Sequence, residues 1–337
     1  MKKKLLLAVS LIGAVLTVTI LLPAGLIAVW PSAPVVVEQK HTQFVQLEVP
    51  TDDIQISVFK KGEGKVVQMP LEEYVRGVVA AEMPVNFAPE ALKAQAIAAR
   101  TYVVRRLVLG AKTPEGADVT DDHRDFQAFS DADKLKVRWG DADYQRNLSK
   151  MNAAVNETRG EIALYDGQPI EALFFSTSSG KTENSEDYWG KAQPYLRSVE
   201  SPWDEKSEKY TAKLEMPLSE FRRKLGIDAV VTATNAGTLI QPLERSVSDH
   251  IKSIKVGDKT FSGPQLRSLL GLRSTWFTWK VTGDTITFFT KGFGHGVGMS
   301  QYGAHFMALE GKKAEDIVRY YYSGVTIGHV EDVLPNR

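Results

Sequence analysis

The sequence predicts an α+β fold, and three observations carry that reading. Residues 71–110 hold two consecutive helical patterns. Apolar runs flank glycine-containing turns at 62–64, 166–167 and 283–284, the signature of antiparallel hairpins. Helices and hairpins mix without a strand–helix–strand rhythm, which disfavours a parallel sheet. At 337 residues the chain can hold one large domain or two smaller ones. We expect one main domain over 47–204 and 286–337. Between them, residues 205–285 turn charge-dense with shorter apolar runs and read as an inserted smaller subdomain.

The N-terminus sets the expected compartment. Met1-Lys2-Lys3-Lys4 precedes an uncharged run from Leu5 to Val37. Residues 5–30 are long and apolar enough for one transmembrane helix. Three lysines assign residues 1–4 to the cytoplasm. Trp30 suits the outer interface, Pro23 a kink the membrane tolerates. Residues 31–46 read as a linker. A cleaved signal peptide is the alternative, and either way the bulk of the chain is extracytoplasmic. Lys+Arg and Asp+Glu balance at 41 each, and no basic block follows the N-terminus, which argues against nucleic acid. The absence of cysteine excludes disulfides, thiol catalysis and Cys-ligated zinc.

The hairpin over Ile56–Met69 leads into LEEYVRGVVAAEMP. At 100° per residue Leu71, Val75, Val78 and Val79 form one apolar stripe, and the next position on it is Glu82. Glu72 and Glu73 are expected on the surface near the helix start. Glu82 would sit on the apolar face near the negative end of its own helix, so its pKa should rise, as suits a general acid. The competing reading is a structural pair with Arg76, Arg100 or Arg105. A second helix starts at Pro89 and ends near Leu109, with Gly110 as its stop. Its many alanines predict a central position.

Residues 111–150 are Asp-rich and read as a long loop, with a helix near 142–158. Asp122-His123-Arg124 is too few ligands for a metal site. Asp166-Gly167 is a type I′ turn signal between two apolar strands. The second strand runs into Ser176-Thr177-Ser178-Ser179-Gly180. No Gly-x-Ser-x-Gly surrounds these hydroxyls, so they suit either a polyhydroxylated ligand or local bonds to backbone. Tyr188, Trp189, Tyr195 and Trp203 are either sugar-stacking faces or core. In KGFGHGVGMSQYGA, glycine recurs at 292, 294, 296 and 298, which lets another backbone or a ligand approach one side. His295 lies between two of these glycines, and a helix is expected to begin near Ser300. No phosphate-loop pattern is present. AEDIVRYYYSGVTI predicts a last helix and strand.

LEEYVRGVVAAEMP, ALKAQAIAARTY, FFSTSSG and GHGVGMSQYGA, in this order after a membrane anchor, resemble the stage II sporulation protein D family. The resemblance covers about residue 47 to the C-terminus and is weakest over 205–285. It implies a lytic transglycosylase of endospore engulfment, cleaving the β-1,4 bond between N-acetylmuramic acid and N-acetylglucosamine in peptide-stripped peptidoglycan. It implies a 1,6-anhydro product, and partners in an amidase of the stage II sporulation protein P type, which it stimulates, and a membrane protein of the stage II sporulation protein M type. The family's catalytic glutamate falls on Glu82. Arg100, Ser176, Thr177, Ser178, Ser179, Gly180, His295, Gln301 and Tyr302 are the substrate contacts expected around it. Some relatives hold a metal through Cys and His; this chain has no cysteine, so no metal or other cofactor is carried over. One acid suffices if the substrate's N-acetyl group or local dipoles stabilise the cation. The alternatives are a non-enzymatic glycan-binding activator of an amidase and a metal hydrolase using His123, His295 and His305.

Overall fold

The computed structural model describes residues 54–334 apart from positions 123 and 125. The expected membrane span, the linker and His123 lie outside the described residues. Among those described, no helix is long and apolar enough to cross a membrane.

Helices alternate with short sheets that are mostly antiparallel, as an α+β chain requires. Strands β1 (Gln55–Lys60) and β2 (Lys65–Pro70) form the first hairpin. Helices α1 (Leu71–Glu82) and α2 (Pro89–Val108) follow. Two residues of β3 (Val119–Thr120) pair parallel with β1. Helices α3 (Ala132–Trp139) and α4 (Asp141–Asn156) come next; α3 falls where a loop was expected. Its cap is local: the Asp131 side chain accepts from the Lys134 N–H at 3.0 Å.

Helix α2 is the hub. Ala91, Ala94, Ala96, Ala98 and Ala99 are fully buried, because small side chains let α1, α4 and the C-terminal helices pack on several sides at once. Strand β4 (Glu161–Tyr165) turns through Asp166 and Gly167, with φ of 49° and 71°, into β5 (Gln168–Pro169). The expected second long strand is broken. After β5 the chain leaves the hairpin and forms β6 (Phe174–Phe175), which pairs parallel with β13 (Met299–Ser300). A short helix α5 (Ser185–Trp189) follows.

Residues 211–291 surround a second hydrophobic core that includes Phe221, Ile254, Leu266, Phe277 and Phe288. Its elements are β7 (Thr211–Pro217), α6 (Leu218–Leu225), α7 (Ala236–Leu239), β8 (Ile240–Arg245), β9 (Ile251–Val256), β10 (Lys259–Ser262), α8 (Gly263–Leu270), β11 (Phe277–Thr282) and β12 (Thr285–Lys291). The strands form two sheets, ordered β10-β9-β8 and β11-β12-β7. Helix α8 begins in a Ser262–Gln265 capping box. The chain then re-enters the first core through β13, α9 (Gln301–Leu309), α10 (Ala314–Tyr321) and β14 (Thr326–His329), which pairs with β4.

Candidate active site

A cleft of about 710 Å³ opens beside the C-terminal end of α1. Glu82 lines it, half-buried on the stripe where Leu71, Val75, Val78 and Val79 are buried. The Ala128 N–H donates to its Oε1 at 2.7 Å. That donor arrives because residues 126–130 lie along α1. The Ser130 N–H donates to the Gly77 carbonyl at 3.1 Å, and Phe129 stacks on Tyr74 at 5.3 Å. Gly77 permits this approach: a Cβ there would stand 2.3 Å from the Phe129 ring and 2.9 Å from the Ser130 carbonyl.

The three arginines weighed as partners for Glu82 have their own partners. Arg76 lies 3.7 Å from Glu73, and Arg105 donates to the Pro169 carbonyl at 2.9 Å. Arg100 is 0% exposed and bidentate to Glu72, at 2.7 and 2.5 Å. It also donates to the Glu161 carbonyl at 3.0 Å. Two expectations are corrected here. Glu72 is buried rather than a surface acid, and Arg100 is a core ion pair away from the cleft lining. Burying a guanidinium requires a carboxylate beside it, and Glu72 reaches from α1 to supply one.

The hydroxyl run divides. Ser176 lines the cleft. Thr177 is buried, its backbone bridging to Phe293. Ser178 Oγ donates at 2.7 Å to Asp204, a buried carboxylate that also receives Ser201 and Ser300 at 2.6 Å each. Burial pushes the Asp204 pKa upward, against these three bonds. Ser179 Oγ lies 2.8 Å from His250 Nε2, tying this loop to the second core. Gly180, with φ +110°, carries no side chain and donates its N–H to Ser178 Oγ. Ser178, Ser179 and Thr177 are therefore spent on internal bonds, and Ser176 is the member of the run that faces the cleft.

The alternating glycines admit a neighbouring backbone. A Cβ on Gly292 would meet the Thr177 carbonyl at 2.8 Å, and one on Gly298 the Leu173 carbonyl at 2.1 Å. All four glycines have positive φ. The loop carries His295 to the cleft wall. Its Nε2–H donates to the Phe174 carbonyl and its Nδ1 accepts from the Val297 N–H, both at 3.1 Å. Burial, then the nearby Arg267 charge, pushes its pKa down to about 4. His295 is thus a neutral ring packed on Trp189 at 5.1 Å and Phe175 at 5.5 Å. Gln301 lines the cleft and donates to Gln95 Oε1 at 3.4 Å. Tyr302, expected among the substrate contacts, is instead buried outside the cleft lining, its ring against Phe87 at 4.9 Å and under the Lys209 ammonium at 5.3 Å.

Of the aromatics singled out in sequence, Trp189 lines the cleft at 49% exposure, whereas Tyr195 is core. Sequence reasoning missed Tyr102, Arg124, Phe126, Gln127 and Lys209, all in the lining. Phe126 and Phe129, two aromatics within an acidic loop, were the available signal. His305 accepts from the Ala88 N–H at 3.0 Å, at the start of α2. Among the described residues, no group of three or more His, Cys, Asp or Glu could hold a metal ion. Chemically the cleft offers one acid, Glu82, among its described lining residues, with aromatic faces, two cations and hydroxyl and amide groups around it.

Residues 60–165, which include α1, α2 and Glu82, match the family described as SpoIID, Stage II sporulation protein. The chain is 46% identical over 296 residues to stage II sporulation protein D of Bacillus amyloliquefaciens, covering 88% of this chain and 85% of the relative. It is 47% identical over 284 residues to the protein of that name from Bacillus subtilis (strain 168), covering 83% and 81%. An amidase enhancer of Bacillus subtilis (strain 168) is 28% identical over 304 residues, 75% of this chain and 40% of that protein. With nearly half its residues shared across most of two such relatives, the chain belongs to the stage II sporulation protein D family of sporulation proteins.

Proposed function

We propose that this chain is a membrane-anchored lytic transglycosylase of endospore engulfment, acting on peptide-stripped peptidoglycan outside the cytoplasm. The observation that carries this is Glu82, the one carboxylate among the described residues lining a cleft with exposed aromatic faces. Protonated Glu82 gives its proton to the glycosidic oxygen as the C1–O bond breaks through an oxocarbenium-like state, releasing N-acetylglucosamine with a new 4-hydroxyl. The resulting carboxylate takes the proton from the C6 hydroxyl of the muramic residue. O6 closes on C1, and Glu82 is again protonated. No water is consumed and no metal or other cofactor is needed. The Ala128 N–H aims the carboxyl. Trp189 and Phe293 suit the apolar faces of the sugar rings, while Ser176 and Gln301 suit their polar edges.

The test is cleavage of amidase-treated cell wall by the purified full-length chain, read by mass spectrometry of anhydro ends. Glu82→Gln should slow their release about 10²–10⁴-fold, the range for a general acid. Release at the wild-type rate would remove Glu82 from the mechanism.

A second role is favoured by the relative named amidase enhancer. In it the chain binds glycan and activates an amidase of the stage II sporulation protein P type, and a membrane protein of the stage II sporulation protein M type is a further partner. The signature of that role acting alone is stimulated amidase with no new glycan ends.

A further inference from the structure

We propose that the outer face of the β11-β12-β7 sheet is a second glycan subsite, holding the carboxylate-bearing strand as it leaves the cleft. This rests on the glycan reading of the cleft. Strand alternation turns Phe277, Phe288 and Ile286 inward to the second core. Trp276, Thr278, Phe289, Lys291, Thr211 and Lys213 fall on the opposite face and line a groove of about 510 Å³. Phe289 is 42% exposed there, in the middle strand of three, so an aromatic ring forms part of the groove lining.

The occupant is argued from continuity and charge. Two adjacent chain segments run from the cleft straight into the groove. Lys209 and Phe293 line the cleft; two residues further along each segment, Thr211 and Lys291 line the groove. The Gly292 N–H donates to the Tyr210 carbonyl at 2.7 Å and locks the two segments together between the openings. At about 3.3 Å per extended residue, the step between cleft and groove is about 7 Å. A strand leaving the cleft therefore meets this face next.

Along that path cations lie over rings. The Lys209 ammonium is over Tyr302 at 5.3 Å and the Lys291 ammonium over Trp276 at 4.7 Å. The Arg273 guanidinium is over Phe293 at 5.4 Å. Among the described residues none of the three forms a salt bridge, whereas Lys213 is paired with Glu215 at 2.7 Å. Hydrolysis of the stem-peptide amide leaves a lactyl carboxylate on every muramic residue. Such a strand presents sugar faces for the rings and repeated carboxylates for the cations. An uncharged amino-sugar polymer offers only the former.

The experiment measures affinity directly, using the full-length Glu82→Gln chain so that the ligand is not consumed. Ligands are purified peptide-free glycan strands, long or cut to tetrasaccharides, and long strands whose lactyl carboxylates have been converted to neutral amides. Phe289→Ser with Lys291→Gln should weaken binding of long strands about tenfold more than binding of tetrasaccharides. Neutralising the carboxylates should erase most of the Lys291 effect. Equal losses on long and short strands, or no loss on long ones, would overturn the subsite. Thermal melting of the variant shows whether the fold is kept, and Lys291→Gln alone serves if the double variant melts early. Failure here is separate from failure of the Glu82 mechanism, because affinity is read without turnover.

Discussion

Gly77→Ala puts the link between fold and chemistry to its sharpest test. Alanine is the better helix former, by about 0.8–1 kcal/mol, so propensity alone predicts a more stable protein. The structure predicts the opposite. The new Cβ would lie 2.3 and 2.7 Å from two Phe129 ring atoms and 2.9 Å from the Ser130 carbonyl oxygen. Phe129 is hemmed in by Tyr74 and the Lys60 ammonium, and the Ser130 contact is backbone. Residues 128–130 must therefore lift off α1. Overpacking of this kind costs about 1–3 kcal/mol. Losing the Ala128 hydrogen bond to the Glu82 carboxyl adds to that, since a bond to a neutral group contributes about 0.5–1.5 kcal/mol. After the helical gain is subtracted, we expect a net loss of about 0.5–3.5 kcal/mol by urea denaturation. Misaiming the acid by about 1 Å should also lower release of anhydro ends about 10²-fold at temperatures where the variant is folded. Gly237→Ala is the control, because nothing lies within 4 Å of a Cβ there. A Gly77→Ala protein as stable as wild type and fully active would refute the account of how Glu82 is aimed.

Two further predictions follow from buried charge. Arg100→Met strands Glu72 in the core and should cost about 3–5 kcal/mol, with Arg100→Met/Glu72→Leu recovering part of it; a single-variant cost under about 1 kcal/mol would show the pair is dispensable. Burial pushes the Glu183 pKa up to about 7, despite bonds from Ser246 and Ser248. The folded state then holds this proton more tightly than the unfolded chain, so its contribution is present below about pH 4.5 and is lost as pH rises through about 7. His250 runs the other way: burial lowers it to about 3, and its contribution, full above about pH 6.5, is lost as pH falls toward 3. Glu183→Gln should remove the first slope, changing the wild-type-minus-variant stability by about 3 kcal/mol between pH 4.5 and 7. Parallel urea midpoints across that range would contradict it.

Much of the local structure was legible in the sequence because it is encoded locally. The stripe ending at Glu82, Pro89 at the start of α2, the Asp166-Gly167 turn and the Ser300 cap each involve residues within one or two turns of one another. The alternating glycines announced a close backbone approach before its partner was known. Helix α3 was missed because it is short and half charged, with one buried residue, Leu135. The broken second strand after Pro169 was missed because its partner is β13, more than a hundred residues away.

The roles of site residues divide along the same line. From sequence alone came an acid on an apolar helix face, a glycine-rich loop carrying His295, and membership of a family by motif. Only the tertiary structure decided that Arg100 belongs to Glu72, that Asp204 and His250 occupy Ser178 and Ser179, and that Ala128 aims Glu82. The reason is physical. A helical stripe depends on neighbours three and four residues away, whereas the partner of a buried charge or hydroxyl is chosen by whichever distant segment reaches it, and 28 residues separate even Glu72 from Arg100.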